Sequence, residues 1–179
     1  RRHPMGIDSR RATQFVAVIV AAWAVWGGLE TRNLVPESAV LATESDAKAM
    51  AWLQSHVPPD ARFFIELAAW PPHGYRGVDG GWWLLPMTGR QTLLPPALYG
   101  LGDSRQVERT NEMARRASAI AGCGPKFWDL VAQEGLTHVY FNTHHASLRP
   151  RSIDDCPSID RVYAQDGVFI YQLSWPPPS

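Results

Sequence analysis

The chain is 179 residues long and carries 17 basic and 17 acidic side chains, so its formal net charge is zero. This length suffices for one full-sized domain but hardly for two. Nucleic-acid-binding proteins need a surplus of basic side chains to neutralise phosphates, so the balanced charge argues against that class of partner. The chain opens on Arg1 rather than on Met, which suggests that it is a piece of a longer protein.

Residues 12–29 contain no charged side chain and are rich in aliphatic and indole groups. A helix of this length covers about 27 Å, close to the thickness of a bilayer's hydrocarbon core. Trp23 and Trp26 lie near its C-terminal end, where indoles favour the headgroup region. The segment is therefore predicted to be a transmembrane helix that makes the lipid bilayer a partner of the chain.

The two flanks of this segment differ in charge. The arginines that precede it are Arg1, Arg2, Arg10 and Arg11. Acidic side chains predominate after it, and they are Glu30, Glu37, Glu44 and Asp46. By the positive-inside rule, residues 1–11 form a cytoplasmic flank and the rest lies outside the cell membrane, in the periplasm or the extracellular space. Two alternatives are a cleaved signal peptide, for which the Trp26-Gly27-Gly28 region is a poor cleavage site, and a buried core helix.

Cysteine usage agrees with an exported domain. The two cysteines of the chain are Cys123 and Cys156, and an oxidising compartment would permit a disulfide between them. The bond would close a loop of about 33 residues and contribute about 3–4 kcal/mol. The alternative is a pair of unrelated buried thiols.

After a connector over residues 30–43, residues 44–175 are predicted to form one α/β domain, followed by a tail over 176–179. Thr43 is a helix N-cap, with Asp46 at the third following position in a carboxylate version of the capping box. Further helices are predicted over 104–121 and 125–135, and strands over 62–67, 91–94, 138–142, 161–164 and 168–173. Two helix-then-strand units indicate a parallel centre, and Asp166-Gly167 indicates a C-terminal β-hairpin at the edge of a mixed sheet. Residues 68–104 are predicted to be largely irregular.

The most unusual part of this irregular region runs from Asp79 to Arg90. Its glycines could let the backbone approach a ligand, its adjacent indoles Trp82 and Trp83 could stack on sugar rings, and Asp79 and Arg90 could bracket a polar ligand. We name these four as candidate ligand-binding residues. The alternative is a structural loop in which tryptophan anchors a helix to the sheet and Asp79 pairs with Arg90.

Other chemistries find little support. His144, His145, Asp154 and Asp155 do not have the spacing of a compact zinc motif, so no metal site is predicted. There is no Gly-x-Ser-x-Gly elbow and no phosphate-binding glycine loop, and we predict no catalytic residue in this chain.

Several motifs follow the apolar segment in a particular order. They are Ala51-Trp52-Leu53, Pro58-Pro59-Asp60-Ala61, the segment Asp79-Gly80-Gly81-Trp82-Trp83-Leu84-Leu85-Pro86, Thr88-Gly89-Arg90, Leu94-Pro95-Pro96 and Gly135-Leu136-Thr137-His138-Val139-Tyr140. In order and spacing, over roughly residues 12–175, the chain resembles the C-terminal extracytoplasmic region of bacterial polytopic membrane glycosyltransferases, which use polyprenyl-phosphate sugars and include mannosyltransferase-like proteins.

The resemblance implies a soluble domain packed over the outer face of a multi-span transferase with a polyprenyl-phosphate sugar donor. It places the catalytic carboxylate in an outer loop upstream of this chain, so no catalytic residue is carried over. A lid or acceptor-binding role remains for the four candidate residues. The hypothesis from another class is a single-span, membrane-anchored interaction or structural module without enzymatic activity.

Overall fold

The computed structural model describes residues 9–31, 40, 42–72, 74–144 and 148–174. The chain divides into two compact units, Arg1–Val40 and Leu41–Ser179. The buried hydrophobic side chains of the described residues all belong to the second unit, from Ala49 to Leu173. The second unit therefore has a hydrophobic core of its own.

The first unit contains one long helix, α1 (Ser9–Glu30). Its segment Arg10–Glu30 has a mean hydropathy of 1.7 and is long and apolar enough to cross a membrane. Large apolar side chains along it are exposed, including Phe15 and Trp23 at 68% and 78%. None of the most apolar window of this segment is buried. Helix α1 is compatible with membrane anchoring, although signal sequences share its length and composition.

The main sheet of the second unit has five strands in the order β4-β1-β5-β7-β6. The strands of the unit are β1 (Arg62–Ile65), β2 (Leu67–Ala69), β3 (Tyr75–Gly77), β4 (Gln91–Thr92), β5 (His138–Asn142), β6 (Ile159–Gln165) and β7 (Val168–Leu173). Strand β1 runs parallel to both β4 and β5, and the β6-β7 hairpin adds the antiparallel edge. These pairings confirm the predicted α/β fold with a mixed sheet and a C-terminal hairpin.

Four helices accompany the sheet, and they are α2 (Glu44–His56), α3 (Leu84–Thr88), α4 (Ser104–Ser118) and α5 (Pro125–Glu134). The capping box of Thr43 and Asp46 at the start of α2 is confirmed. Gly135 ends α5 in the left-handed conformation, at φ +63°. Helix α4 ends at Ser118, one turn earlier than the predicted boundary at residue 121.

The sheet is covered on both faces. Successive side chains of a strand point to opposite faces, so Phe63 and Phe64 of β1 face different layers. Phe64 packs edge-on against Phe127 of α5 at 5.8 Å. On the face of Phe63 the ring of His138 stacks at 5.1 Å, and Tyr140, two residues further along β5, reaches α2.

Residues 68–104 are predicted to be largely irregular apart from the strand at 91–94, and the structure adds two strands to this region. Strands β2 and β3 pair antiparallel as a small second sheet, with Ala69 opposite Tyr75. The prolines at 71 and 72 lie in the connecting turn, so they do not interrupt the ladder. The amide of Trp70 donates to the carbonyl of Gly74 at 2.7 Å, and Gly74 adopts φ +108°, which a residue with a Cβ rarely does.

Candidate functional site

A buried polar network joins the first turn of α2 to the end of β5. The carboxylate of Asp46 is 1% exposed. It accepts hydrogen bonds from the Tyr140 hydroxyl, from the side-chain amide of Asn142 at 3.1 Å to each oxygen, and from the amide and hydroxyl of Thr43 at 2.7 Å. A buried charge is tolerated only when it is compensated in this way.

Asn142 extends the network to Asp79. Its backbone amide donates to Asp79 at 2.9 Å, while its side-chain amide donates to Asp46. The other carboxyl oxygen of Asp79 accepts from the amide of Gly81 at 2.8 Å, which caps the 3-10 turn Gly80–Trp83. Asp79 is fully buried and its hydrogen bonds are made within the fold. We conclude that Asp79 connects the indole-bearing segment to the central strand.

Burial in this network shifts the pKa values of Asp79 and Tyr140. Burial raises the pKa of Asp79 to about 7; the amides of Asn142 and Gly81 oppose this effect and the nearby Asp46 adds to it. Burial, reinforced by Asp46, raises the pKa of the Tyr140 hydroxyl well above its usual range. Tyr140 therefore stays protonated and remains a hydrogen-bond donor.

The glycines after Asp79 are required by close packing within the protein. A Cβ on Gly80 would collide with the carboxyl group of Asp46. A Cβ on Gly81 would lie 2.8 Å from the Cγ2 atom of Ile65 and 2.9 Å from Asp79 Oδ1. The space that the sequence suggested for a ligand is filled by the network itself.

Arg90 lies at the other end of α2. It is 5% exposed and donates to the backbone carbonyls of Val57 at 2.6 Å, Thr88 at 2.9 Å and Gln54 at 3.3 Å. Asp79 is bound instead through the network near Asp46, at the N-terminal end of this helix. The Asp79–Arg90 pair that the structural alternative included is therefore wrong, and these two side chains do not come together.

The indoles are the accessible part of the predicted site. Trp82 is half-buried over Gly77 and meets Trp70 edge-on, with ring centroids 6.3 Å apart. Trp83 is 45% exposed and Trp70 is 39% exposed. Of the four candidate residues, Trp82 and Trp83 thus retain surface for a ligand, whereas Asp79 and Arg90 are interior residues.

The cysteines form the predicted disulfide. Cys123 and Cys156 are bonded, with their Cα atoms 6.1 Å apart. The bond ties the start of α5 to the loop that precedes β6. Such bonds are typical of oxidising compartments outside the cytoplasm.

The histidine and aspartate residues considered for metal binding have other surroundings. Asp154 accepts a hydrogen bond from the Tyr171 hydroxyl at 2.9 Å and pairs with Arg161 at 3.3 Å. His145 lies outside the described residues. Within the described part of the chain, no group of three or more His, Cys, Asp or Glu side chains could hold a metal ion.

Sequence reasoning placed Asp46 in a cap but did not place it in the core. The signal was available, because Asp46 shares its helical spacing with Ala49, Met50 and Leu53, the buried side of α2. Its tie to Asn142 spans 96 positions and has no local signature.

No protein-family model matches the chain, and no significantly similar curated protein was found.

Proposed function

We propose that residues 44–175 form an extracytoplasmic, non-catalytic domain of an integral membrane glycosyltransferase. In this proposal the 12–29 helix spans the cell membrane with its N-terminus in the cytoplasm, and the domain helps to shape a site for a saccharide or a lipid-linked sugar. The donor would be a polyprenyl-phosphate sugar, and the catalytic carboxylate would belong to a part of the protein upstream of this chain.

The membrane part of the proposal is supported by two independent features. The helix α1 exposes apolar side chains over a length that suits a bilayer, and four arginines precede its apolar segment whereas mainly acidic side chains follow it. The Cys123–Cys156 disulfide belongs to an oxidising environment, which agrees with export of everything after the helix.

The non-catalytic role is supported by the state of the buried carboxylates. Asp46 and Asp79 are almost fully enclosed, and hydrogen bonds from Tyr140, Asn142 and Gly81 occupy their oxygens. A catalytic carboxylate must touch substrate. These two groups stabilise the fold instead.

Exposure of Trp83 is the observation that carries the saccharide part. Its indole follows the anchored pair of Trp82 and Trp70 and offers an apolar face of the kind on which the C–H face of a sugar ring packs. Saccharides and polyprenyl-phosphate sugars should therefore change the tryptophan emission of the chain in detergent.

In that titration, Trp83→Ala and Trp82→Ala should remove most of the response. Trp128→Phe is the matched control, because Trp128 is half-buried against Phe127 on α5. An unchanged emission, or a change indifferent to Trp82→Ala and Trp83→Ala, would exclude this site.

A single-span interaction module is the second candidate. Leu98 and Leu101 favour it, since they are 74% and 85% exposed in the 3-10 turn Ala97–Leu101 and could contact a partner protein. The protein sequence upstream of Arg1 discriminates between the two. A series of apolar spans supports the transferase, and a reading frame that starts at Met5 supports the module.

A further inference from the structure

A cavity lies at the C-terminal end of α2, remote from the indole segment at its other end. Its volume is about 550 Å³. It has a floor of buried aliphatic side chains and a polar rim, and its lining includes Val57, Ala61, Leu173, Asp60 and Gln172.

The aromatic side chains of Trp52 and His56 line one side of this cavity, and we call them its aromatic wall. The rings of Trp52 and His56 are stacked, with centroids 4.5 Å apart and planes 5° apart, and Tyr163 tilts against Trp52 at 5.2 Å. The Nδ1 atom of His56 is also 2.9 Å from the Trp52 carbonyl. The wall is thus held in place before any ligand arrives.

A second wall is His138, which is 5% exposed. Its Nδ1 atom lies 2.8 Å from the hydroxyl of Thr137. That hydroxyl accepts the Arg62 amide at 3.0 Å, and its other acceptor, the Arg62 carbonyl, is more distant at 3.3 Å. These contacts suit both ring tautomers: the Thr137 hydroxyl donates to Nδ1 in one, and in the other it accepts from Nδ1–H while donating to the Arg62 carbonyl.

The Nε2 atom has no hydrogen-bond partner in the part of the chain that the structure describes. It is also not among the fully buried side-chain polar atoms that lack a partner. His138 lines the cavity, and a hydroxyl group can pair with Nε2 in either tautomer, because a hydroxyl group both donates and accepts. Burial, with Arg90 nearby, lowers the pKa of His138 to about 4, so the ring is neutral at neutral pH.

We propose that this cavity binds one sugar ring, with its C–H face toward the stacked rings of Trp52 and His56 and its hydroxyl groups between Asp60 and His138. A hydroxyl group can donate to the Asp60 carboxylate, and it can donate to or accept from Nε2 of His138 according to the ring tautomer. The mixture of an aromatic wall, an aliphatic floor and few polar groups suits such a ring. The inference rests on the proposed function for the saccharide class, but it concerns a site separate from Trp83.

The test uses the whole chain in detergent, with labelled histidine and tryptophan side chains observed by NMR. Methyl α-mannoside and methyl α-glucoside are the probes, and choline is the cationic comparison. We expect a saturable shift of the His138 and Trp52 ring signals at millimolar glycoside. Asp60→Asn and His138→Gln should each weaken binding about tenfold or more.

Trp83→Ala should leave these shifts unchanged, which separates this cavity from the indole segment. Asp60 is exposed, so Asp60→Asn keeps the fold and the comparison interpretable if His138→Gln is unstable. The proposal is overturned by no saturable shift with either glycoside, by equal binding in Asp60→Asn, or by a response to choline alone. None of these results depends on whether upstream spans exist, which is the separate condition of the transferase proposal.

Discussion

Asp46 in the first turn of α2 and Tyr140 in the central strand β5 are joined by a direct hydrogen bond between two buried side chains, 94 positions apart in sequence. Because Asp46 also caps its own helix, this contact couples the start of α2 to the middle of the sheet. The indole-bearing segment depends on the same network through Asn142 and Asp79.

Tyr140→Phe should destabilise the domain by about 1.5–3 kcal/mol, since it removes a hydrogen bond to a buried charged group. Denaturant unfolding of the whole chain in detergent, followed by near-ultraviolet circular dichroism, measures this loss. Tyr163→Phe is the control, because its hydroxyl makes a 3.3 Å contact with Gln165 at the surface and should cost less than about 0.5 kcal/mol. Equal stability of the two variants would contradict the role of the Asp46–Tyr140 bond.

Gly80→Ala should be among the most damaging single-methyl changes in the domain. The added Cβ would displace the carboxyl group of Asp46 and break its hydrogen bonds, at a cost of roughly 2–4 kcal/mol. Gly124→Ala is the matched control, since nothing lies within 4 Å of its Cβ position and its φ is −69°. Thermal unfolding of both variants tests the difference. A Gly80→Ala protein as stable as the control would mean that the network can relax around a side chain.

Asp79 and His138 should make opposing contributions to the pH dependence of stability. The pKa of Asp79 is raised from 3.8 to about 7 on folding, so the folded state holds the extra proton and this contribution falls as pH rises through that window. The pKa of His138 is lowered from 6.5 to about 4, so the unfolded state holds the extra proton and this contribution is lost as pH falls through that window. Over its full range the effect is on the order of 4 kcal/mol for Asp79 and on the order of 3 kcal/mol for His138.

Two neutral variants separate these contributions. Relative to the wild type, Asp79→Asn should lose stability as pH falls from 7 toward 4, and His138→Gln should gain it as pH falls from 6.5 toward 4. The difference in unfolding free energy from the wild type is the useful quantity, because groups common to both proteins cancel. Parallel curves for the wild type and Asp79→Asn would show that Asp79 does not take up its proton on folding.

Reduction of the disulfide should lower the unfolding free energy by about 3–4 kcal/mol, because the bond closes a loop with a sequence separation of 33. Denaturant midpoints with and without reductant measure the effect, and the double variant Cys123→Ser, Cys156→Ser should reproduce it without responding to reductant. A midpoint independent of reductant in the wild type would contradict a stabilising bond.

The sequence was sufficient for features that depend on local patterns. Helical spacing and caps located α2, and Asp166-Gly167 located the hairpin of β6 and β7, because these signals lie within a few residues. The pairing of Cys123 with Cys156 was also predicted, because the chain has two cysteines. The small β2-β3 sheet was missed, since the prolines of its turn resemble those of an irregular segment.

The candidate site was predicted only in part, because its residues were judged by type rather than by surroundings. Asp79 and Arg90 are polar residues beside glycines and tryptophans, a pattern that suits a binding loop. Their roles depend on partners distant in sequence, Asn142 for Asp79 and Val57 for Arg90. The cavity at His138 was not foreseen, since Trp52, Asp60 and His138 meet only through the packing of α2 on the sheet.

Alkaline extraction combined with a thiol count tests most directly whether the protein is attached to a membrane and whether its domain is exported. After cell breakage, the protein should remain in the membrane fraction through alkaline carbonate treatment. In intact cells, Cys123 and Cys156 should not react with an alkylating reagent until a reductant is added. A protein recovered in the soluble fraction without N-terminal cleavage, with two reactive thiols after denaturation, would contradict both the span and the export of the domain.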